Sequence, residues 1–414
     1  MNMIFRFSLY GFLKNQQYYE PFLLLALVEK GLSFTEIGLL IGFREVCINV
    51  MEIPTGAIAD VAGRRRCMIF SFLAYIASFL VFGLVNQIWA LVAAMLLFSI
   101  GEAFRTGTHK AMIFDWLTRQ GRADEKTKIY GYTRSWSKLG SAVGAVIAAA
   151  LVFVTGKFSI VFLYCVVPYL LNIINFMTYP SYLDATNGQK ASVGGVLRTL
   201  YHALTESIRS RPLRRLLVES MGFEGTFRVC KDYLQAMIKA AALALPLMAS
   251  YHVNQRTAVL AAPIFLALYL AGSWASRHAH VLADRAGSQE KAAAWLWWCY
   301  LVVFAVIAVT NGFGLQSAAI PAFVLLAVIQ NFWRPMLISR FADHADPTKQ
   351  ATVLSIESQS KCLFAAVVAP LLGLAVDHMP VEMKFLPVGM VGLAVAVIML
   401  ATGGDSRRQM AGVR

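Results

Sequence analysis

Ten basic residues fall inside apolar stretches of this chain: Lys14, Arg44, Arg105, Lys110, Arg134, Lys138, Arg228, Lys231, Arg334 and Lys361. Acidic residues share those stretches, among them Glu20, Glu45, Glu52, Glu102, Glu219, Glu224, Asp232 and Glu357. A charge at the centre of a bilayer costs about 2.5–3.5 kcal/mol, so such residues persist where they pair or line a water-filled cavity. Helical spacing puts several on common faces. Glu102 lies three before Arg105, and His109 four beyond it. Arg134 precedes Lys138 by four, as Glu357 precedes Lys361. Glu224, Arg228 and Asp232 form a ladder, Glu45, Asn49 and Glu52 another, and Gln16 shares a face with Glu20. Guanidinium and ammonium groups in excess suit a carboxylate or phosphate ligand. A carboxylate beside a cation in a partly dry cavity can gain and lose a proton. We therefore expect substrate contacts from Lys14, Gln17, Arg105, Lys138, Arg228, Lys231, Gln330, Arg334 and Lys361. Proton exchange is expected at Glu20, Glu102 and Asp232, with Arg105 tuning Glu102. Lys138 and Lys361 read as a deep, symmetric basic pair. Lys110 and Glu219 read as span-end residues that reach the interface, Pro21 as a kink, and Arg134 as too near the cytoplasmic end to meet substrate.

The elements that must hold these residues follow from composition. Of 414 residues, 58% are hydrophobic and 14% charged, with a mean hydropathy of +0.60. Soluble domains are about 45–50% apolar and about 25% charged. Disordered, collagen-like and small disulfide-framed classes are excluded, and a soluble enzyme of this size lacks the polar surface it would need. Apolar segments of roughly 20 residues, the length of a membrane crossing, recur near 8–28, 35–57, 67–85, 88–114, 129–154, 158–179, 216–239, 257–277, 292–311, 317–338, 351–376 and 384–402. The expected fold is an all-α polytopic membrane protein with twelve transmembrane helices in two pseudo-symmetric six-helix bundles. Residues 1–180 form the first bundle, 181–212 a central loop and 213–414 the second bundle.

The net charge of +14 would point to nucleic acid in a soluble protein; here basic residues in cytoplasmic loops account for it. Twenty-two Lys and Arg fall on the side of both termini and the central loop, against five on the other, so that side is expected to be cytoplasmic. Cys47, Cys67, Cys165, Cys230, Cys299 and Cys362 lack C-x-x-C spacing, so neither a disulfide frame nor a metal site is expected. His278 and His280 lie in a basic break without an acidic or Cys partner at ligand spacing. The N-terminal segment has no small-residue cleavage site and is expected to be retained.

Two correspondences indicate internal duplication. Arg134-Ser-Trp-Ser-Lys138 matches Glu357-Ser-Gln-Ser-Lys361 at an offset of 223, and Phe104-Arg105 matches Trp333-Arg334 at 229. Matching polar insertions in two halves are typical of duplicated transporter bundles.

After the second span the chain reads Gly56-Ala-Ile-Ala-Asp60-Val-Ala-Gly63-Arg64-Arg65-Arg66. This resembles the G-x-x-x-D-x-x-G-R-R/K-R/K signature of the major facilitator superfamily, at the place where that family carries it. Ala283-Asp284-Arg285-Ala286-Gly287 is similar to its degenerate second copy. The resemblance implies that Gly56, Asp60, Gly63 and Arg64 belong to a cytoplasmic gate that never touches substrate. It also implies that spans one, four, seven and ten line a central cavity. Gly131, Gly140 and Gly144 keep part of the family's antiporter spacing, with Ala145 in place of its proline. Arg105 resembles the family's buried motif B arginine.

No G-x-x-x-x-G-K-S/T loop is present, so energy is expected from an ion gradient, a proton being the economical choice. The expected activity is secondary transport of an anionic or zwitterionic organic solute by alternating access, by a monomer in a bacterial cytoplasmic membrane. Its partners are the solute, protons and lipid; no cofactor, metal or nucleic acid is expected, and the protein is not an enzyme. The alternatives are a drug/proton antiporter exporting amphipathic compounds, a lipid or lysolipid transporter, and a non-transporting sensor or scaffold.

Overall fold

A computed structural model describes residues 2–106, 108–122, 125–184, 204–205, 207–245, 248–345 and 350–411, with backbone alone at Asp60 and some other helical positions. Most of the expected central loop, Lys190 and Arg198 included, lies outside the described residues. The described residues hold helices and turns and no strand.

Helices occupy all twelve expected positions. The first holds α1 (Met3–Lys14) and α2 (Leu23–Glu29); the next two hold α3 (Phe34–Ala62) and α4 (Arg64–Leu84). The fourth holds α5 (Ile88–Arg105) and α6 (Thr108–Arg119), followed by α7 (Lys126–Thr155) and α8 (Ile160–Met177). The seventh comprises α9 (Arg211–Ser220), a π-helical turn Met221–Gly225, α10 (Thr226–Cys230) and α11 (Tyr233–Ala244). Then come α12 (Val253–Arg277), the short α13 (Ala279–Ala286), α14 (Gln289–Gly312), α15 (Ile320–His344), α16 (Gln350–Asp377) and α17 (Leu386–Ala411).

Eight of these positions are long and apolar enough to cross a membrane. The other four fall short for separate reasons. In α3 the charges of Glu36, Arg44, Glu45 and Glu52 dilute the apolar character. The apolar part of α17 ends at Thr402. The first and seventh positions are interrupted helices. Pro21 therefore does more than kink its span. Helix α1 stops at Lys14, where the Asn15 side-chain amide donates to the Gly11 carbonyl at 2.7 Å. Successive turns follow, closed by the N–H of Glu20 to Gln17 and that of Phe22 to Tyr19, both at 2.9 Å. Irregular backbone at membrane depth survives where protein covers it. Gln16 is buried there, its amide donating to the Gly140 carbonyl at 3.1 Å.

The chain forms two compact units: residues 1–32, 43–198 and 250–266, and residues 33–42, 199–249 and 267–414. Within the first, α4 packs on α5 and α8, and α1 on α7 and α8. Within the second, α14 packs on α15 and α17, and the seventh-position segments on α16 and α17. Adding six to each span number converts the first set of pairings into the second, which is the packing expected of a duplicated sequence.

Close approaches depend on small residues. A Cβ on Gly140 would lie 3.0 Å from Phe12 Cα, and one on Gly144 would lie 3.3 Å from the Asn15 carbonyl oxygen. These two glycines seat α7 against α1 and its break. Gly131 and Gly56 do no such work: no described atom lies within 4 Å of a Cβ built at either. Gly63 makes the turn between α3 and α4 at φ +98°, outside the range of other residues. Beside it, Asp184 accepts from the backbone N–H groups of Arg65 (2.9 Å) and Arg66 (3.3 Å) and pairs with Arg65 Nε at 3.0 Å.

Candidate functional site

A cavity of about 400 Å³ opens within the first unit. Helix α1 contributes Tyr10 and Lys14, and the end of α5 contributes Arg105. His109 and Lys110 come from α6, and Tyr130, Arg134, Ser137, Lys138 and Ser141 from α7. Five side chains of its lining are cationic and none is a carboxylate. Arg134 and Lys138, one turn apart on α7, are both exposed and line this cavity.

The positive charge is unevenly met. Glu102, one turn before Arg105, bonds its guanidinium and accepts from the Tyr75 hydroxyl. Arg105 Nε in turn donates to the Tyr75 hydroxyl oxygen at 3.3 Å. This triad is what the three-residue spacing predicts, with Tyr75 added from α4. Among the described residues Lys14, Arg134 and Lys138 form no ion pair within 4 Å. Lys110 lies 5.5 Å from the ring centroids of both Phe114 and Tyr130, a cation–π arrangement. Tyr10 stacks on His109 with ring centroids 3.7 Å apart. His109 is 8% exposed, and its Nε2 is buried without a hydrogen-bond partner.

The second unit holds charges of a different kind. Glu224, in the π-helical turn, accepts from Arg334 Nη1 at 3.1 Å and Lys361 Nζ at 2.7 Å. Glu357 accepts at Oε1 from Arg334 (2.7 Å), from Lys361 (2.8 Å) and from the Ser220 hydroxyl. Two cations thus meet two carboxylates, and the Glu357 side chain is fully buried. Nearby, Arg228 Nη1 donates to Cys362 Sγ at 3.4 Å. Towards the start of the seventh span, Glu219 accepts from Arg215 at 2.9 Å and from buried Arg340 at 2.7 Å.

The structure therefore brings Lys14, Arg105 and Lys138 together, as the sequence reading expects. It adds Arg134 and Lys110, which that reading sets near span ends. Lys361 is not the counterpart of Lys138 in its surroundings. Arg134 stands one turn before Lys138, where Glu357 stands one turn before Lys361, so the repeat carries opposite charges at one position. Gln17 and Glu20 lie in the break after α1 and outside the cavity lining. Lys231 and Asp232 occupy the turn between α10 and α11, and Gln330 is half-buried with Oε1 lacking a partner. The spacing from Arg105 to His109 crosses the extended backbone of Thr106, so these two do not share a helix. Likewise the π-helical turn interrupts the regular spacing assumed for Glu224, Arg228 and Asp232. Arg64 is half-buried at the start of α4, and the side chain of Asp60 lies outside the described residues.

A family model for the Major Facilitator Superfamily matches residues 7–359. Among solved structures, the nucleoside transporter NupG aligns over 97% of this chain and 98% of its own at a TM-score of 0.77 and 12% identity. A POT family transporter in complex with 5-aminolevulinic acid aligns over 97% and 96% at 0.72 and 13% identity. At such identities the likeness concerns the fold. No curated protein sequence matches the chain. With a family match over most of its length, two units of equivalent packing and the signature turn at Gly63, the chain is a multi-pass membrane transporter of the major facilitator superfamily.

Proposed function

We propose that the protein carries an anionic or zwitterionic organic solute through the membrane by proton-coupled alternating access. The observation that carries this reading is the cavity lined by five cations, three of them without an ion-pair partner among the described residues. An uncompensated cation in a closing, partly dry site costs several kcal/mol, and an anionic ligand removes that cost. Drug export would call for an apolar, aromatic cavity with its charges internally cancelled, which the cationic lining here does not match.

Coupling follows from competition at Arg105. A substrate anion that engages the guanidinium weakens its hold on Glu102, and the released carboxylate takes up a proton. Tyr75 keeps one Glu102 oxygen in place throughout. Glu20 and Asp232 are the other candidates for proton exchange. Both termini and the segment between the bundles face the cytoplasm, on the count of basic residues. The Gly56, Asp60, Gly63 and Arg64 turn serves as the cytoplasmic gate.

The test uses purified, monodisperse protein. Anionic, zwitterionic and lipophilic cationic compounds are screened by thermal shift, and the hits are then tested for pH-gradient-driven uptake in proteoliposomes. Anions should stabilise wild type, and Lys138→Ala should abolish the shift. Stabilisation by lipophilic cations alone, unchanged in Lys138→Ala, refutes the reading. Uptake indifferent to the pH gradient refutes the proton coupling.

A further inference from the structure

The distribution of charge around this cavity limits its cargo more narrowly than anionic character does, given the reading of the cavity as the substrate site. Apart from Lys110, which lies over the rings of Phe114 and Tyr130, its cations come from two places: Lys14 and Arg105 at the end of α1 and α5, and Arg134 and Lys138 along α7. Glu102 pairs directly with Arg105 and acts at longer range on Lys14, while Glu20, outside the lining, acts at longer range on Lys14 and Lys138. Arg134 and Lys138 follow each other by one helical turn, about 6 Å, with no carboxylate in the lining to meet either. The equivalent turn in the repeat holds Glu357 before Lys361 and closes on itself as an ion pair of 2.8 Å. Substitution of arginine for glutamate at that one position converts a self-neutralised turn into a doubly positive one.

A monovalent anion satisfies one of these two places. The other then keeps its charge when the site closes and loses water, and an isolated charge is costly there. We infer that the cargo is an organic anion carrying at least two negative charges, one held by Lys14 and Arg105 and the other by Arg134 and Lys138. Dicarboxylates and phosphate monoesters share this chemistry. The stacked pair of Tyr10 and His109 flanks the first place.

The experiment compares ligands of similar shape and different charge by calorimetry on purified protein: succinate against butyrate, and methyl phosphate against dimethyl phosphate. An additional charge-assisted contact is worth about 1.5–3 kcal/mol, so a divalent ligand should bind about 10- to 150-fold more tightly than its monovalent analogue. Which pair shows the difference separates carboxylate from phosphate. The double variant Arg134→Gln/Lys138→Gln, both at exposed positions, should remove most of that ratio. Equal affinity for succinate and butyrate, with methyl phosphate binding no better than dimethyl phosphate, overturns the inference and leaves anion transport standing. Binding of alanine in preference to every divalent anion overturns it in favour of a zwitterion. Binding of tetraphenylphosphonium with no anion bound at all overturns the transport reading together with it.

Discussion

Lys361→Met should destabilise the second unit through electrostatics rather than packing. Lys361 Nζ donates to Glu224 Oε2 at 2.7 Å and to Glu357 Oε1 at 2.8 Å, and its side chain is 12% exposed. Without it, two carboxylates share Arg334, and one negative charge is uncompensated beside a fully buried Glu357. Breaking a buried pair by removing one partner costs about 3–5 kcal/mol. With about 2 °C of melting temperature per kcal/mol for a unit of about 200 residues, Tm should fall by about 6–10 °C. Removing a carboxylate at the same time restores the balance. Lys361→Met/Glu224→Gln leaves Arg334 against Glu357, and Tm should return to within about 3 °C of wild type. Intrinsic tryptophan fluorescence in a thermal ramp reads both variants, since Trp297 and Trp333 are buried in that unit against Phe223. A Lys361→Met protein melting within about 1 °C of wild type would show that the cluster is not a clamp. Additive losses in the double variant would show that the charges are not coupled.

Other substitutions separate close packing from motif resemblance. Gly140→Ala should lower stability by about 1–3 kcal/mol, because its Cβ would press on the backbone of Phe12. Gly131→Ala should raise stability by about 0.5–1 kcal/mol, as expected for an unhindered mid-helix glycine; both are read as shifts in Tm. Asp377→Ala removes the acceptor for the backbone N–H groups of Phe34 (3.1 Å) and Thr35 (2.7 Å) and for the Thr35 hydroxyl. It should cost about 1 kcal/mol, the usual worth of an N-terminal cap, and speed hydrogen exchange at the start of α3. Gly63→Ala forces a side chain to φ +98° with its Cβ 2.8 Å from Asp184 Oδ1. It should cost about 1–3 kcal/mol, and pairing it with Asp184→Ala should relieve the clash but not the strain.

Apolar runs mark the twelve positions at which helices lie, eight of them long and apolar enough to cross a membrane. They are silent on the interruptions, which depend on partners far along the chain: the turns at 15–22 rest on Gly140, and the π-helical turn faces Arg334 and Lys361. Local spacing revealed the Arg105–Glu102 contact, three residues apart, and the Lys361–Glu357 contact, four apart. It missed Glu224, whose partners lie 110 and 137 residues away. Arg134 and Lys110 were set aside as span-end charges. A signal for Arg134 is nevertheless present, since it stands where the repeat has Glu357, the acid that neutralises Lys361.

The interruption after α1 also bears on how the chain is made. Helices of twelve and seven residues are each too short to span lipid alone, and short helices are marginal without tertiary support. The contacts that complete this first crossing come late in synthesis: Gly140 receives the Gln16 amide, and the Tyr169 hydroxyl donates to the Lys14 carbonyl at 3.3 Å. The Asn175 amide and the Tyr179 hydroxyl then both donate to the Arg6 carbonyl, at 3.1 and 3.2 Å. A nascent chain released after residue 120 would lack every one of these groups. Its amino-terminal segment should remain open to protease or to a translocon crosslinker until residues up to about 180 have emerged. The first helix pair of this unit is thus among the last of its parts to mature.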